Sequence, residues 1–526
     1  MSLVGMGGAL ATGLSAQAAE TLSARYDQFE IDIAVTELES YATSNQQSPL
    51  LESLDVLLND AQRTAIKNAI SQKFEIALPF LDRFFATPSG DRLLRDLSVV
   101  IQADSKSVDT VAALKTAFIM AATQNDAVTL PGLLRAFPDV AVRVDLAQGI
   151  RLFNQLGARI ESRSQAIASI KQRSQSSAPS SKALASQFSR PGPFNWDKQS
   201  FSITDERPVR LQSSRQPRTI PLDLYVPRGA EAAPVIVISH GLGSGRTSYQ
   251  YFAEHLASHG YAVAVPEHSG SSFRHWQALL DEKENQISRP AEFVDRPLDI
   301  QYVLDVLTEK NDADSPMGTR LDLTQVGVFG HSYGGYTALA LAGAKLSVQS
   351  LSQACSRNLF SNLNPSLLLQ CQAAQLPVPT PELSDPRVKA VFVAHPILSA
   401  TFGVQGLGDV QVPVAILAGG EDRVAPLVPE QIEPFNAISA STDRTLVVME
   451  RADHFSQIGE MADEETILPL AASPTDPVTL KSRAALKSLG LAFFQSRLTS
   501  TQDSRESLLT VVRSLNEPSF PVYGVA

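Results

Sequence analysis

The chain has 526 residues, enough for two or more domains and a large hydrophobic core. Apolar residues make up 44% and charged residues 19%, which is ordinary for soluble globular proteins. The formal net charge of -11 disfavours nucleic acid and anionic membrane surfaces as main partners, and no apolar run approaches the ~18 residues of a membrane span.

The first residues are small and apolar and carry no charge before Glu20. Ala16-Gln17-Ala18, just before Ala19, matches the small-x-small cleavage pattern of a secretory signal, although the usual Lys or Arg at its start is missing. The pattern predicts a signal peptide over residues 1–19 without its basic start. It therefore predicts export to the periplasm or the medium.

Residues 20–171 have a helical pattern. Val111, Leu114, Phe118 and Ala121 share one helical stripe, and a further helix is predicted over residues 146–171. We find no alternating strand pattern and no histidine in this region. It is predicted to be an all-helical domain that packs, covers or binds. The Ser/Pro-rich residues 172–193 are predicted to be a linker.

Residues 194–526 alternate between strands and helices, which predicts an α/β fold with a mostly parallel sheet flanked by helices. Short, wholly apolar runs are typical of strands buried on both faces of such a sheet. Ligands of open α/β sheets bind at the carboxyl ends of the strands. Strands are predicted at residues 201–204, 220–226, 235–238, 262–265, 326–329, 388–394, 414–417 and 445–449.

Two insertions interrupt the alternation, at residues 269–292 and 346–383. Segments longer than about 12–15 residues between core elements are often lids or binding loops, so we describe both as lid-like; surface elaboration without a role is the alternative. The second insertion holds Cys355 and Cys371. They can pair as a disulfide if the protein is exported, and are expected to be free thiols if it is cytosolic.

The pentapeptide Gly330-His331-Ser332-Tyr333-Gly334 lies between a predicted strand and a helix of small residues. This context matches the Gly-x-Ser-x-Gly nucleophile elbow, in which a strained serine needs glycine on both flanks. A serine hydroxyl becomes a nucleophile when a positioned base takes its proton and an acid orients that base. Ser332 is therefore the predicted nucleophile.

The base and the acid should follow the serine in the order serine, acid, histidine, each just after a strand. His454 follows the last predicted strand and is the predicted base, whereas His331 should point away on the turn and His395 follows an earlier strand. Asp422, in a glycine turn after the strand at 414–417, is the predicted acid. Its competitors are Glu421 and Asp453.

An oxyanion hole needs two backbone N–H groups aimed at the developing charge. We expect one from Tyr333 and the other from Leu242, because Gly241 and its neighbours in residues 239–245 allow close backbone approach. A phosphate cradle is the competing interpretation of this loop. It lacks the Lys-Ser/Thr end of a P-loop and the full Gly-x-Gly-x-x-Gly spacing. No Cys/His cluster has metal spacing, so neither a metal nor a cofactor is predicted.

Several of these motifs resemble those of plasma platelet-activating-factor acetylhydrolases. The resemblance covers roughly residues 221–455 and rests on the stretches at 239–249, 256–260, 267–268 and 330–335. It implies an α/β-hydrolase fold and action on carboxylic esters, including lipid esters. The helical front resembles the domain of unknown function that precedes predicted cyanobacterial hydrolases labelled dienelactone-hydrolase-like.

The chain departs from these families at two points. Dienelactone hydrolases use a cysteine nucleophile, whereas this elbow carries Ser332. In the acetylhydrolases the acid follows the strand after the elbow helix, and the matching position here is His395, which moves the acid to Asp422.

The resulting hypothesis is a serine esterase or lipase that acts on a small-molecule or lipid ester, with peripheral membrane contact still open. A serine peptidase of the same fold is the alternative enzyme, because the elbow alone does not separate amide from ester hydrolysis. A non-catalytic binding or scaffold protein is the alternative of another class.

Overall fold

A computed structural model describes residues 19–26, 29–44, 67, 70–74, 77–125, 127–175, 183–207, 217–311, 320–358, 363–460, 475–499 and 505–526. The predicted signal peptide lies, apart from Ala19, outside these residues. None of the helices described is long and apolar enough to cross a membrane.

The chain divides into two compact units, residues 1–85 with 94–153, and residues 86–93 with 154–526. The division falls inside the helix Leu146–Gln175 rather than in the predicted linker at 172–193. Part of that linker is the helix Ala183–Ser189, whose Ala185 is buried and accepts a hydrogen bond from Ser488. Its small and apolar residues let it pack, despite the serine-rich sequence before it.

The first unit is not all-helical, and that prediction was wrong. It contains a four-stranded sheet in the order β2-β1-β4-β3, with β1 and β4 parallel and the other two pairings antiparallel. The signal was present in β2, where Ile31 and Ile33 alternate with exposed Glu30 and Asp32. The strands are Thr21–Tyr26 (β1), Phe29–Ala34 (β2), Ile101–Ala103 (β3) and Ala141–Asp145 (β4).

Helices connect and follow these strands in the described chain before residue 190. The predicted stripe from Val111 to Ala121 lies on one of them, and Leu114 and Ala121 are fully buried. The helices are Val35–Ser44 (α1), Leu78–Phe85 (α2), Pro88–Leu97 (α3), Thr110–Asn125 (α4), Leu130–Arg135 (α5), Leu146–Gln175 (α6) and Ala183–Ser189 (α7).

The second unit is built on a nine-stranded sheet in the order β13-β12-β11-β10-β9-β7-β8-β6-β5. The strands from β12 to β8 in this order are parallel, and β13 and β6 run antiparallel to them. The edge strand β5 pairs antiparallel with β6 and so has the direction of the parallel strands. The strands are Trp196–Asp205 (β5), Arg218–Pro227 (β6), Ala233–Ser239 (β7), Ala262–Pro266 (β8), Leu321–His331 (β9), Val388–Ala394 (β10), Val414–Gly419 (β11), Arg444–Met449 (β12) and Val522–Val525 (β13).

Both faces of this sheet are covered. Val235 and Val237 of β7 belong to one apolar cluster, and Ile236 and Ile238 belong to the other. Side chains alternate across a strand, so the apolar runs that predicted buried strands supply two cores. The helices are Gln250–Ser258 (α8), Phe273–Leu280 (α9), Glu292–Glu309 (α10), Tyr333–Leu341 (α11), Val348–Cys355 (α12), Leu367–Gln370 (α13), Gly403–Leu407 (α14), Glu433–Ala437 (α15), Pro477–Phe494 (α16) and Arg505–Leu515 (α17).

The two insertions are folded. The first carries α9, and the Trp276 indole N–H donates to the carbonyl of Ile287 at 3.0 Å. The second carries α12 and α13, and Cys355 and Cys371 form a disulfide. The sheet with helices on both faces and folded insertions agrees with the predicted architecture of residues 194–526.

Candidate active site

Ser332 occupies a sharp turn between β9 and α11. Its backbone has φ 53° and ψ -113°, a conformation that is strained for a residue with a side chain. A Cβ on Gly330 would lie 2.0 Å from the carbonyl oxygen of Gly334, and one on Gly334 would lie 2.0 Å from that of Ser239. The turn therefore requires both glycines, as expected for a nucleophile elbow.

Asp422 and His454 follow adjacent parallel strands and meet at the carboxyl edge of the sheet. Nδ1 of His454 lies 2.9 Å from Oδ2 of Asp422. Oδ1 of Asp422 accepts the backbone N–H groups of Val424 at 2.9 Å and Ala425 at 2.7 Å, which fixes the carboxylate plane. Because a carboxylate only accepts, Nδ1 of His454 carries the proton, and Nε2 is the ring atom that can accept one from a hydroxyl.

The Asp422 carboxylate is buried yet remains ionised. Burial acts to raise its pKa, but the charge of His454 and hydrogen bonds from His395 and His454 outweigh burial and hold the pKa well below its usual range. An ionised acid is what an orienting role requires, since it must accept the Nδ1 proton and stabilise the imidazolium.

His395 is a second histidine on the same carboxylate oxygen, which the sequence prediction missed. Its Nδ1 lies 2.8 Å from Oδ2 of Asp422, and its side chain is fully buried. The sequence pointed to the position at the end of β10 as a competing base and as the match to the acid of the acetylhydrolases, but not as a second partner of Asp422. The contact itself has no local sequence signal because residues 395 and 422 are 27 positions apart.

His331 turns away from solvent and supports the loop of the base. Its Nε2–H donates to the carbonyl oxygen of His454 at 2.8 Å. Burial, with a further contribution from His454 and His395, drives the pKa of His331 well below its usual value, so the ring is neutral. It braces His454 in this structure.

The loop after β7 approaches Ser332. A Cβ on Gly241 would lie 3.5 Å from the Cβ of Ser332 and 2.9 Å from Nδ1 of His331, so a side chain would crowd the site. Within the described part of the chain, the N–H groups of Leu242 and Tyr333 donate to no other group. These two N–H groups, one on the loop after β7 and one at the start of α11, are therefore available to donate hydrogen bonds to an oxyanion.

A buried polar network holds this loop from behind. Nε2 of His268 lies 2.9 Å from Oγ of Ser239, and Nδ1 of His268 lies 2.9 Å from Oδ2 of Asp299. The backbone N–H of His268 donates to Nε2 of His240 at 3.0 Å. Asp299 also pairs with Arg218, whose Nε lies 2.8 Å from Oδ1. These contacts tie the turn after β8, which carries His268, to the loop after β7.

Arg296 is the central cation of that network and was not predicted from the sequence. It is fully buried, its Nη2 donates to the carbonyl of His240, and its Nη1 donates to Oγ of Ser271 at 2.9 Å. Its guanidinium lies 4.4 Å from the centroid of the Tyr333 ring. Burial lowers the pKa of Arg296 to about 10, so it stays charged at neutral pH. It therefore ties the two segments that carry the free amides.

A mostly apolar cavity of about 380 Å³ lies beside the acid loop. This volume is within the usual range for small-molecule sites. Leu156 and Ile160 of α6 line it and are 40% and 45% exposed, so the cavity is open to solvent on this side. Further lining comes from Leu93, Leu363, Leu368, Asp422, Pro426 and Leu427.

Among the described residues, His395, Asp422 and His454 form a group whose donor atoms lie within 4.8 Å of one another, close enough for a cation. Each Nδ1, however, faces the carboxylate oxygen at hydrogen-bond distance and needs its proton there. The hydrogen bonds account for the arrangement, and we assign it no metal.

The strand order, the strained elbow and the residues at the strand ends define an α/β-hydrolase fold. In agreement, residues 235–466 match the model of the alpha/beta hydrolase family. Residues 18–145 match a second model, described as an alpha/beta hydrolase of unknown function (DUF1400). The predicted resemblance to α/β-hydrolases is confirmed, and the front of the chain matches a model of unknown function, as expected.

Three curated relatives illustrate the similarity. Chlorophyllase type 0 of Chenopodium album is 30% identical over 146 residues, 28% of this chain and 38% of that protein. Cutinase est1 of Thermobifida alba is 24% identical over 258 residues, 49% and 64% of the two chains. A platelet-activating factor acetylhydrolase of Canis lupus familiaris is 29% identical over 144 residues, 21% and 32%. The chain thus matches between about a third and two thirds of each relative's length.

Proposed function

We propose that the protein hydrolyses carboxylic esters with Ser332 as nucleophile, His454 as base and Asp422 as orienting acid. The observation that carries the proposal is the Asp422–His454 pair, 2.9 Å apart at the ends of adjacent strands, in the same domain as a strained elbow serine. Chlorophyllase, cutinase and acetylhydrolase names among its relatives support ester chemistry.

The reaction follows from the protons on these groups. Oγ of Ser332 attacks the ester carbonyl while Nε2 of His454 takes its proton, and the Leu242 and Tyr333 amides receive the oxyanion. The leaving alcohol takes that proton as the tetrahedral intermediate collapses to an acyl-enzyme. Water then attacks, again deprotonated by His454, and releases the acid and Ser332.

The cavity beside the acid loop supports an ester with an apolar acyl group. Its wall is predominantly aliphatic, and Asp422 belongs both to that wall and to the proposed triad. We assign it to the acyl chain, which extends the predicted preference for lipid-like esters.

A location follows from the cysteines. We propose export, supported by the Cys355–Cys371 disulfide and the leader-like first residues, because structural disulfides persist in oxidising compartments.

The test of the function is hydrolysis of p-nitrophenyl esters of graded acyl length beside peptide anilides, combined with fluorophosphonate labelling. We expect ester turnover and one label on the peptide that contains Ser332. Anilide turnover that exceeds ester turnover would establish the peptidase alternative. No turnover and no label would favour the non-catalytic alternative.

A further inference from the structure

The Asp422 carboxylate serves two imidazoles through one oxygen. Oδ2 lies 2.9 Å from Nδ1 of His454 and 2.8 Å from Nδ1 of His395. A serine triad needs one imidazole on its acid. The second imidazole is therefore a feature that the proposed mechanism leaves unexplained.

His395 holds this position at a structural cost. Its φ is 47°, in the left-handed region that residues with a side chain rarely adopt. Its Nε2 is buried and has no hydrogen-bond partner among the described residues. A Cβ on Gly419 would lie 2.6 Å from Cε1 of His395, so the neighbouring strand end leaves room for the ring. The backbone strain at His395 and its unpaired Nε2 are both unfavourable. We therefore expect its one side-chain hydrogen bond within the described chain, from Nδ1 to Asp422, to have a role.

We propose that His395 is a positioning residue that sets the basicity of His454 by sharing the Asp422 carboxylate with it. The proposal rests on the proposed function, because it assigns His454 as base. A hydrogen bond from His395 withdraws part of the negative charge that would otherwise stabilise the His454 imidazolium. It also fixes Oδ2 from a second direction.

The direction of the effect can be derived. Without the His395 donor, the full negative charge of the carboxylate acts on His454 and stabilises its imidazolium form more strongly. The base must be neutral to accept a proton, so the acidic limb of kcat/KM moves to higher pH. Among the described residues, the ring of His331 from β9 packs against both His395 and His454, and Asp453 adjoins His454 in the chain. Glu421, which pairs with Arg163 of α6, and Arg423 flank Asp422. His331 is held neutral by burial.

Two variants of His395 distinguish the effect of its hydrogen bond to Asp422 from the effect of the space that its ring fills. His395→Asn keeps an N–H donor near Nδ1 and tolerates the left-handed backbone, whereas His395→Leu fills the site without a donor. With a short-acyl ester, we expect the acidic limb of His395→Leu to shift upward by roughly one pH unit and that of His395→Asn to stay near wild type. An unshifted limb in folded His395→Leu overturns the proposal.

A second measurement, NMR of the histidine side chains in the folded protein, does not depend on catalytic activity. With ¹⁵N-labelled histidine, three of the eight histidines should show downfield Nδ1–H signals from bonds to carboxylates, namely His268, His395 and His454. Asp422→Asn should shift two of them and leave His268 unchanged as the internal control. A shift of only one signal overturns the proposal. If Ser332 proves dispensable for hydrolysis, the proposed function fails while the NMR result still decides whether the carboxylate is shared.

Discussion

The second unit contains two arrays of serine, histidine and aspartate, a rear array (Ser239, His268, Asp299) and a front array (Ser332, His454, Asp422). In both, Nδ1 of the histidine lies 2.9 Å from a carboxylate oxygen, but their surroundings differ. In the rear array, Ser239, His268 and Asp299 are fully buried, and both ring nitrogens of His268 are bonded. In the front array, Ser332 is 7% exposed on a strained turn and His454 is 3% exposed. Arg218 and Arg296 surround the rear array with positive charge. Access and backbone geometry, rather than residue types, therefore distinguish the array that we propose to be reactive from the one that we propose to be supporting.

The largest expected difference between the arrays is in their serines. Ser332→Ala should lower kcat on p-nitrophenyl esters by about 10⁴–10⁶-fold, because nucleophile and base act as a unit. Ser239→Ala should lower kcat by less than about tenfold, since it removes only the contacts of its hydroxyl with His268 and Arg296, behind the loop after β7. Steady-state kinetics on both variants checks this, and comparable losses would contradict the division into reactive and supporting arrays.

The two aspartates should separate activity from stability. Asp422→Asn should reduce kcat by about 10³–10⁴-fold, because the amide cannot hold His454 in the required tautomer. Asp299→Asn should instead lower the free energy of unfolding by about 3 kcal/mol, since it weakens a buried pair with Arg218. Urea unfolding monitored by fluorescence, with kinetics alongside, measures both effects. Greater destabilisation by Asp422→Asn would reverse the assignment.

Each array has a neutral histidine beside it, and both should make stability depend on pH. Burial drives the pKa values of His240 and His331 well below their usual value. The unfolded chain binds these protons below about pH 6.5, so the free energy of unfolding should fall as pH falls, by up to about 1.4 kcal/mol per pH unit for each histidine. Asp422, whose pKa is lowered, adds to the loss only below about pH 4.

Urea unfolding from pH 7 to pH 5 measures this slope. His331→Asn should reduce the number of protons taken up on unfolding by about one, which makes the slope of the free energy of unfolding against pH less steep. His240→Asn, beside the rear array, should have the same effect. An unchanged slope in both variants would show that these rings are protonated in the folded state.

The smallest expected effect concerns the cavity beside the front array. Ile160→Trp should fill part of it and raise KM for long-acyl esters by roughly tenfold, with short-acyl esters unchanged. Ser162→Trp, at an exposed position of the same helix that does not line the cavity, is the matched control. Equal effects on all acyl lengths would remove the cavity from the acyl site.

Much of the fold of the second unit follows from sequence because its parallel strands are short, wholly apolar runs between helices. The candidate residues Ser332, Asp422 and His454 each follow such a run. Because the carboxyl ends of parallel strands lie at one edge of a sheet, the sequence predicts that these three residues lie at the same edge. The four-stranded sheet of the first unit was not predicted. Its strand β3 has only three residues, and the alternation of apolar and polar residues in β2 extends over only six.

The support around the site was less accessible to prediction. Arg296 lies inside the long helix α10, where its charge would suggest a solvent-facing position, yet it is fully buried. His395 requires knowledge of the register between β10 and β11 before its contact with Asp422 can be inferred. Such contacts depend on three-dimensional placement across many residues and leave no periodic pattern.

The strand β13 has a practical consequence for handling the protein. Its four residues cover the outer side of β12, and the chain beyond β12 leads to His454. The hydroxyl of Tyr523 donates to Glu450 at 3.1 Å, and Glu450 lies on the segment between β12 and His454. Trimming these residues would leave β12 as an open edge, which invites intermolecular strand pairing and aggregation. The same deletion would remove the Tyr523–Glu450 hydrogen bond at the end of β12, so a shortened protein should first be tested for aggregation.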